Sequence, residues 1–294
     1  EQLRISAIVF DAVDEAVMVT NADNQIVRVN PSFTRITGYT AEEAIGANPR
    51  MLSGRTHPRE FYQTLWSTLL DTGKWQGEIR NRRKNGELFV EWLSIYRVHD
   101  QVSGGFHHVA VFSDITKQRM EADRIQYLAT FDVLTGLPNR AALLEQLRNA
   151  LNDARRNQTR LAIMFVDLDL FKTINDALGH DIGDRLLQSV AIRMRDGMPH
   201  GGTVGRLGGD EFVVLLRGVI DQTHAVAVAT HLRDAIAQPF DLEGNRVCIS
   251  CSIGIAMCPE HGDDELQLLK DADTAMYRAK VGGRDAVEYY RLIG

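Results

Sequence analysis

Residues 117–130 form a stretch rich in charged and helix-forming side chains, and the residue pattern differs on its two sides. Before it come short alternating segments and turns; after it, apolar runs separated by helix-like stretches. Such a chain is expected to fold as two domains, and 294 residues at ~100–200 per domain give the same number. With 44% hydrophobic and 24% charged residues, each half can bury a core of its own without metal or disulfide staples. The longest apolar run, 161–166, is far short of the ~20 residues that span a membrane, and no charged-then-apolar leader opens the chain. The expectation is a cytosolic piece, and a start at Glu1 leaves room for membrane segments in a longer protein. The net charge of −6 weighs against nonspecific nucleic-acid binding.

Cys248 and Cys251 stand as Cys-x-x-Cys, with Cys258 nearby. A metal or redox pair is disfavoured, because 247–253 reads as a strand, in which positions three apart point to opposite faces. Ordinary packing of small thiols is expected.

Residues 5–116 alternate short strands and turns. Val17-Met18-Val19-Thr20, Asn21-Ala22-Asp23-Asn24 and Gln25-Ile26-Val27-Arg28-Val29 predict a hairpin. Pro31 opens a helical stretch, Thr40-Ala41-Glu42-Glu43 supplies a capping box, and 61–70 carries apolar Phe61, Leu65, Trp66 and Leu69. Strands near 75–82, 87–99 and 106–113 complete an antiparallel sheet. Over residues 1–116 this unit resembles a PAS sensor domain, on Asn30-Pro31-Ser32-Phe33, Gly38-Tyr39-Thr40-Ala41-Glu42-Glu43 with Ile45-Gly46, Asn81-Arg82-Arg83-Lys84-Asn85-Gly86, and Asp114-Ile115-Thr116. PAS domains commonly hold a small ligand between sheet and helices. Trp75-x-Gly77 followed by Asn81 is similar to PAS sensors whose Trp and Asn line a flavin pocket; the alternative is an aromatic core residue beside a solvated charged turn. A covalent flavin adduct is excluded because the unit has no cysteine. Haem could be held only through His57, His99, His107 or His108, and a lone His is more often structural.

Around the connector 117–130, Ile115, just before it, and Ala122 and Ala129 within it fall seven apart with Ile125 in a d-like place, which favours a helix packing on its copy in a dimer. The unit 131–294 alternates strands and helices: a helix to about residue 156, a strand at 161–166, helices at 173–178 and 183–195, a hairpin of 203–207 with 212–217, a helix at 224–237, an extended run 247–256 and a helix at 266–281. The expected fold class is α/β (α+β) with a mixed sheet.

Two acidic sites stand out in this unit. Asp167-Leu168-Asp169 ends an apolar strand, and Gly208-Gly209-Asp210-Glu211-Phe212 sits where a hairpin must reverse. Carboxylates on neighbouring strands could converge on a hard cation such as Mg2+, which takes oxygen ligands at ~2.0–2.1 Å and keeps positions for substrate phosphates. Each site alone is equally well an ordinary acidic turn.

The combination is similar to GGDEF diguanylate cyclases, which join two GTP molecules into cyclic di-GMP and release two pyrophosphates. The resemblance runs through Asp132-x-Leu134-Thr135-Gly136-Leu137-Pro138-Asn139-Arg140, Asp167-x-Asp169-x-Phe171-Lys172-x-Ile174-Asn175-Asp176, Gly179-His180-x-x-Gly183-Asp184, Arg206-Leu207-Gly208-Gly209-Asp210-Glu211-Phe212, Ser252-Ile253-Gly254, and Ala272-Asp273-x-Ala275-Met276-Tyr277-x-Ala279-Lys280. It implies a fold like that of nucleotidyl cyclases and polymerase palms. It implies that Asp167 and Asp210 hold Mg2+ (or Mn2+) with the Leu168 carbonyl, and that Glu211 binds metal or helps take the ribose 3′-hydroxyl proton. Asn175 and Asp184 would read guanine, whose carbonyl, ring N–H and amino group they match and adenine does not. Backbone N–H groups near Leu170 and Phe171 would hold phosphates, and Lys280 and Arg284 would neutralise the triphosphate.

Product symmetry implies two half-sites facing each other in a homodimer, so that connector packing can set activity; a tenfold change needs ~1.4 kcal/mol. Many such cyclases carry Arg-x-x-Asp ending five residues before the Gly-Gly pair, where product inhibits. Here that stretch is Pro199-His200-Gly201-Gly202, so feedback through the usual site is expected to be absent, and Arg193-Met194-Arg195-Asp196 lies too early, on an expected helix. The alternatives are a noncatalytic GTP sensor regulating a neighbour, such as a phosphodiesterase domain beyond residue 294, and a palm-type polymerase or adenylyl cyclase. The Asn175/Asp184 pair and the lack of a basic template channel disfavour the latter.

Overall fold

A computed structural model describes residues 2–99 and 104–291, and the chain divides into two compact units, Glu1–Arg124 and Ile125–Gly294. In unit 1 a helix α1 (Gln2–Ala12) precedes β1 (Ala16–Thr20), β2 (Ile26–Val29), α2 (Pro31–Thr37), α3 (Ala41–Ala44), a 3-10 turn (Pro49–Leu52), α4 (Arg59–Thr72), β3 (Lys74–Arg82), β4 (Leu88–His99), β5 (Phe106–Asp114) and α5 (Thr116–Thr130), which runs on past Arg124. The helix α1 corrects the expectation of strands and turns from residue 5: Ile5, Ile8 and Val9 stand at helical, not alternating, spacing. The five strands form an antiparallel sheet in the order β2-β1-β5-β4-β3. Its inner face packs Met18, Ile79, Phe89, Leu93 and Phe112 against Phe33, Leu52 and Leu65 from the helical side. Local signals set the helix starts. Asn30 caps α2 by accepting from the Phe33 N–H, and Thr40 with Glu43 closes a reciprocal capping box on α3.

Between sheet and helices lies a cavity of about 310 Å3. Of the two residues expected to line a ring pocket, Asn81 lines this cavity and Trp75 does not. The Trp75 indole covers Gly77, where a Cβ would lie 2.9 Å from its Cζ2, and meets Phe61 edge-on.

Unit 2 comprises α6 (Arg140–Asn157), β6 (Arg160–Leu168), α7 (Phe171–Leu178), α8 (His180–Asp196), β7 (Gly202–Gly208), β8 (Glu211–Val219), α9 (Gln222–Ile236), β9 (Phe240–Leu242), β10 (Asn245–Val247), β11 (Cys251–Cys258), α10 (Glu265–Val281) and β12 (Val287–Tyr289). The main sheet runs β12-β11-β6-β8-β7, antiparallel except for the parallel pair β11–β12, so it is mixed as expected. Helices cover both faces, which explains the unbroken apolar run of β6. Ala162, Met164, Val166 and Leu168 join the core under α8 and α9, while Leu161, Ile163 and Phe165 join the one under α6 and α10.

The extended run expected over 247–256 is broken. Glu243 and Gly244 both take positive φ and fold β9 and β10 into a tight hairpin, and residues 248–250 leave the sheet before β11 starts opposite Leu168. Cys248 is exposed while Cys251 and Cys258 are buried and unpaired, so no Cys pair forms, although the break rather than strand alternation separates the first two. Burial pushes the Cys251 thiol up, as for an inert core residue. Among the described residues no helix is long and apolar enough to cross a membrane.

Candidate active site

The two acidic segments meet because of strand register. β6 and β8 are antiparallel neighbours with Asp167 opposite Glu211, and the Leu168 N–H donates to the Asp210 carbonyl at 3.3 Å. The β7–β8 reversal depends on glycine: Gly208 and Gly209 have φ of 150° and 53°. Arg206, 8% exposed, holds that turn from beneath. Its Nε and Nη2 donate to the Gly209 carbonyl at 3.1 and 2.7 Å, and its Nη1 donates to Asp132 Oδ1 at 2.8 Å. Burial works against the charged form of Asp132, but hydrogen bonds from Thr135 and Arg206 outweigh it and hold the carboxyl below its ordinary range.

The cluster is strongly acidic at its centre. Burial pushes the Asp167 carboxyl up to about 6; the Lys280 ammonium, 2.7 Å from its Oδ2, pulls it down, and the charges of Asp210 and Glu211 push it further up. Glu211 is likewise raised, by burial first and then by Asp273 and Asp210, with Lys280 and Arg140 opposing. Around Asp167 and Glu211 the neighbouring carboxylates outnumber the cations Lys280 and Arg140, an arrangement that suits an added positive charge. A divalent ion fits this donor set: Asp167, Asp210 and the Leu168 carbonyl lie at one end of two neighbouring strands. Among the described residues no three His, Cys, Asp or Glu side chains are grouped to hold an ion by themselves. Mg2+ usually takes few protein ligands and completes its shell with phosphates and water.

Beside this cluster, β6 passes into α7 through Leu170, which is left-handed (φ 58°) and 61% exposed, and no side chain caps the helix start, the kind of place where backbone N–H groups suit an anion. Phe171 is buried and anchors that turn. Asn175 on α7 lies against Gly183 on α8: a Cβ at Gly183 would fall 1.7 Å from Asn175 Oδ1. That buried oxygen has no hydrogen-bond partner, and Asp184 stands exposed in the next position. An orphaned amide on a side-chain-free cradle beside an open carboxylate fits the edge of a purine base. Arg284 is exposed after α10 with φ 65° and forms no ion pair among the described residues, so no contact ties it to the carboxylates.

Sequence reasoning missed three supports. Asp169, 5% exposed, accepts from Ser250 Oγ, Ser252 Oγ and the Asp285 N–H, fastening the end of β6 to β11 and the loop after α10. Arg206 and Asp132 form the clamp above, for which Thr135 three residues after Asp132 was the available signal. Arg193 is already engaged: it stacks on Phe240 and donates to the carbonyls of Ala235, Gln238 and Pro239.

Residues 129–286 match the family described as "Diguanylate cyclase, GGDEF domain", and residues 14–117 match the PAS domain family. Diguanylate cyclase TpbB of Pseudomonas aeruginosa is 44% identical over 157 residues, covering 53% of this chain and 36% of TpbB. Probable diguanylate cyclase DgcE of Escherichia coli is 30% identical over 288 residues, 96% of this chain and 26% of DgcE. Cyclic di-GMP phosphodiesterase PdeR of Escherichia coli is 41% identical over 172 residues, 58% of this chain and 26% of PdeR. The chain thus spans about a quarter to about a third of these relatives. The solved GGDEF domain of TpbB superposes with a TM-score of 0.54 at 43% identity, covering 55% of this chain and 95% of that one. A sensory box/GGDEF family protein from Caulobacter crescentus does so at 0.51 and 36%, covering 53% and 100%. The chain belongs to the GGDEF diguanylate cyclase family and carries a PAS domain ahead of its GGDEF domain.

Proposed function

We propose that the chain is a PAS-regulated diguanylate cyclase that converts two GTP into cyclic di-GMP and two pyrophosphates. In this reading residues 1–116 are the sensor, 117–130 the connector and 131–294 the cyclase, acting in the cytoplasm. The observation that carries the proposal is the register of Asp167 against Glu211, beside the unpartnered Asn175 oxygen on Gly183. Together they supply a place for a triphosphate and a place for its base.

Asn175 and Asp184 orient guanine, and the N–H groups at Leu170 and Phe171 take phosphate oxygens. Lys280, released from Asp167, meets the triphosphate charge; Arg284 joins it from the following loop. Asp167, Asp210 and the Leu168 carbonyl would hold Mg2+, which when bound would supply Lewis-acid stabilisation of the transferring phosphate and the departing pyrophosphate. Glu211, with its raised carboxyl, accepts the 3′-hydroxyl proton as that oxygen attacks the α-phosphorus of the second GTP. The ring closes by the reciprocal attack, which needs a second half-site related by a two-fold axis. The connector helix α5 buries no residue and leaves Met120, Ile125 and Leu128 exposed, which supports pairing with a second copy.

Incubating the chain with GTP or ATP and Mg2+ and identifying products by mass tests the proposal: cyclic di-GMP from GTP alone is expected. The match to PdeR, named as a phosphodiesterase, favours a second reading, a GTP-binding domain that regulates a neighbour. Unchanged GTP in a verified dimer would select it.

A further inference from the structure

Asp169 is the second acid of the Asp167-Leu168-Asp169 segment, and the reaction above leaves it without a role. It is 5% exposed, and both of its oxygens are engaged. Oδ2 accepts from Ser250 Oγ at 2.7 Å and from the Asp285 N–H at 3.0 Å, and Oδ1 accepts from Ser252 Oγ at 2.8 Å. Its own N–H donates to the Ser250 carbonyl at 2.9 Å. Main chain and side chain together fix it between the Leu168 carbonyl and the Leu170 turn.

The bond to Asp285 crosses to a strained part of the backbone. Arg284 and Asp285 have φ of 65° and 45°, a left-handed pair that residues with a Cβ avoid, and such residues persist where their surroundings hold them. Three neighbours hold this turn from other sides. The Arg284 N–H donates back to the Ala279 carbonyl of α10 at 3.0 Å, the Ile253 N–H of β11 donates to the Ala286 carbonyl at 2.9 Å, and Arg233 Nη1 of α9 donates to the Asp285 carbonyl at 3.4 Å. Among the described residues, the bond from the Asp285 N–H is the one that ties the turn to the end of β6. Arg284 thus stands between two anchored N–H groups, while its exposed side chain forms no ion pair among the described residues.

We propose that Asp169 is a positioning residue for the triphosphate: by holding the Asp285 N–H it fixes Arg284 at a set reach from the end of β6. The assignment rests on the cyclase reading and adds to it a residue that touches neither nucleotide nor ion. Asp169 acts here as an acceptor, not through its charge. In Asp169→Asn the amide oxygen takes the place of Oδ2, and the Ser252 hydroxyl turns to accept from the side-chain N–H, so the link survives without the charge. Asp169→Ala removes the link and lets Asp285 leave the left-handed region.

The test is calorimetric titration of the intact chain with Mg2+ and a GTP analogue carrying a methylene bridge between the α- and β-phosphorus, with guanosine binding followed by ligand-observed NMR. Asp169→Asn is expected to bind the analogue within about threefold of the native chain, and Asp169→Ala and Arg284→Met each at least about tenfold more weakly. Guanosine, which has no phosphate for Arg284 to meet, binds all four chains alike within about threefold. Because Asp169 acts through Arg284, the double variant Asp169→Ala/Arg284→Met is no more than about threefold weaker than Arg284→Met alone. Should circular dichroism show Asp169→Ala unfolded, Asp169→Ser, whose hydroxyl pairs with the serines but stops short of the Asp285 N–H, carries the same comparison. A native chain that does not bind the analogue would overturn the cyclase reading and this assignment with it. With the analogue bound by the native chain, the assignment of Asp169 alone would be overturned by multiplied losses in the double variant, by a loss in Asp169→Asn as large as in Asp169→Ala, by native affinity in Asp169→Ala or Arg284→Met, or by an equal loss for guanosine.

Discussion

Gly183→Ala isolates the proposed base-reading half of the site. The added Cβ would lie 1.7 Å from Asn175 Oδ1, 2.9 Å from Cγ and 3.3 Å from Phe171 Cζ, where ordinary contact begins at 3.4 Å. The amide must therefore swing away by about 2 Å, since close-packed neighbours leave no other relief. Position 183 is inside α8, where alanine is favoured over glycine by up to about 1 kcal/mol, so the helix should persist. Displacing the amide removes one partner of the guanine edge and leaves the base group unpaired, at about 1–3 kcal/mol. That corresponds to roughly 5- to 150-fold weaker GTP binding. ATP, which does not use that contact, should bind the variant and the native chain equally. Calorimetric titration with both nucleotides, alongside thermal melting, checks this. Native GTP affinity in a folded variant, or an equal loss for ATP, would refute the guanine-reading role of Asn175.

Arg206→Met should destabilise unit 2 by about 3 kcal/mol, because charge-assisted bonds to the Gly209 carbonyl and Asp132 are lost together; urea unfolding by circular dichroism measures it, and kcat should fall more than GTP affinity. Gly254→Ala should cost more than about 3 kcal/mol or abolish folding, since its Cβ would lie 2.1 Å from the Ala272 carbonyl oxygen and the Met276 nitrogen on the packed backbone of α10; soluble yield and melting temperature report it. Glu91 on β4 is 1% exposed, and this burial makes it hold its proton to higher pH when folded than when unfolded. Its contribution is complete below about 4.5 and is lost as pH rises to about 8, a change on the order of a few kcal/mol that Glu91→Gln should abolish. All three tryptophans, Trp66, Trp75 and Trp92, are in unit 1, so their fluorescence during urea unfolding of the intact chain follows this unit alone. Cyclic di-GMP should bind only weakly around 199–202; sub-micromolar affinity lost on substituting that stretch would contradict the expectation.

Much of the site was legible because its signals are local. The apolar run at 161–166 needed covering on both faces, and Gly208-Gly209 needed a reversal; once β6 and β8 paired, Asp167 met Glu211 without further specification. What escaped depends on partners distant in the chain. The partners of Asp169 lie more than eighty positions on, and those of Arg193 more than forty. The end of a strand at residue 247 was hidden because Cys248 to Cys251 alternates as plausibly as the residues around it, whereas the departure of 248–250 serves the Asp169 N–H bond to the Ser250 carbonyl. Glu91 left a readable trace, a charge at an inward position of a period-2 stripe, whose meaning appears only when Asn81 is found beside it.

The central claim is that the carboxylates of β6 and β8 and the Asn175/Asp184 pair hold two ends of one GTP. Its most direct test is a structure with a nonhydrolysable GTP analogue and Mg2+. The account predicts the ion between Asp167 and Asp210, with Lys280 turned from Asp167 to the phosphates and guanine against Asn175. A bound analogue whose base lies away from α7 and α8, or whose ion has neither carboxylate as a ligand, would contradict it.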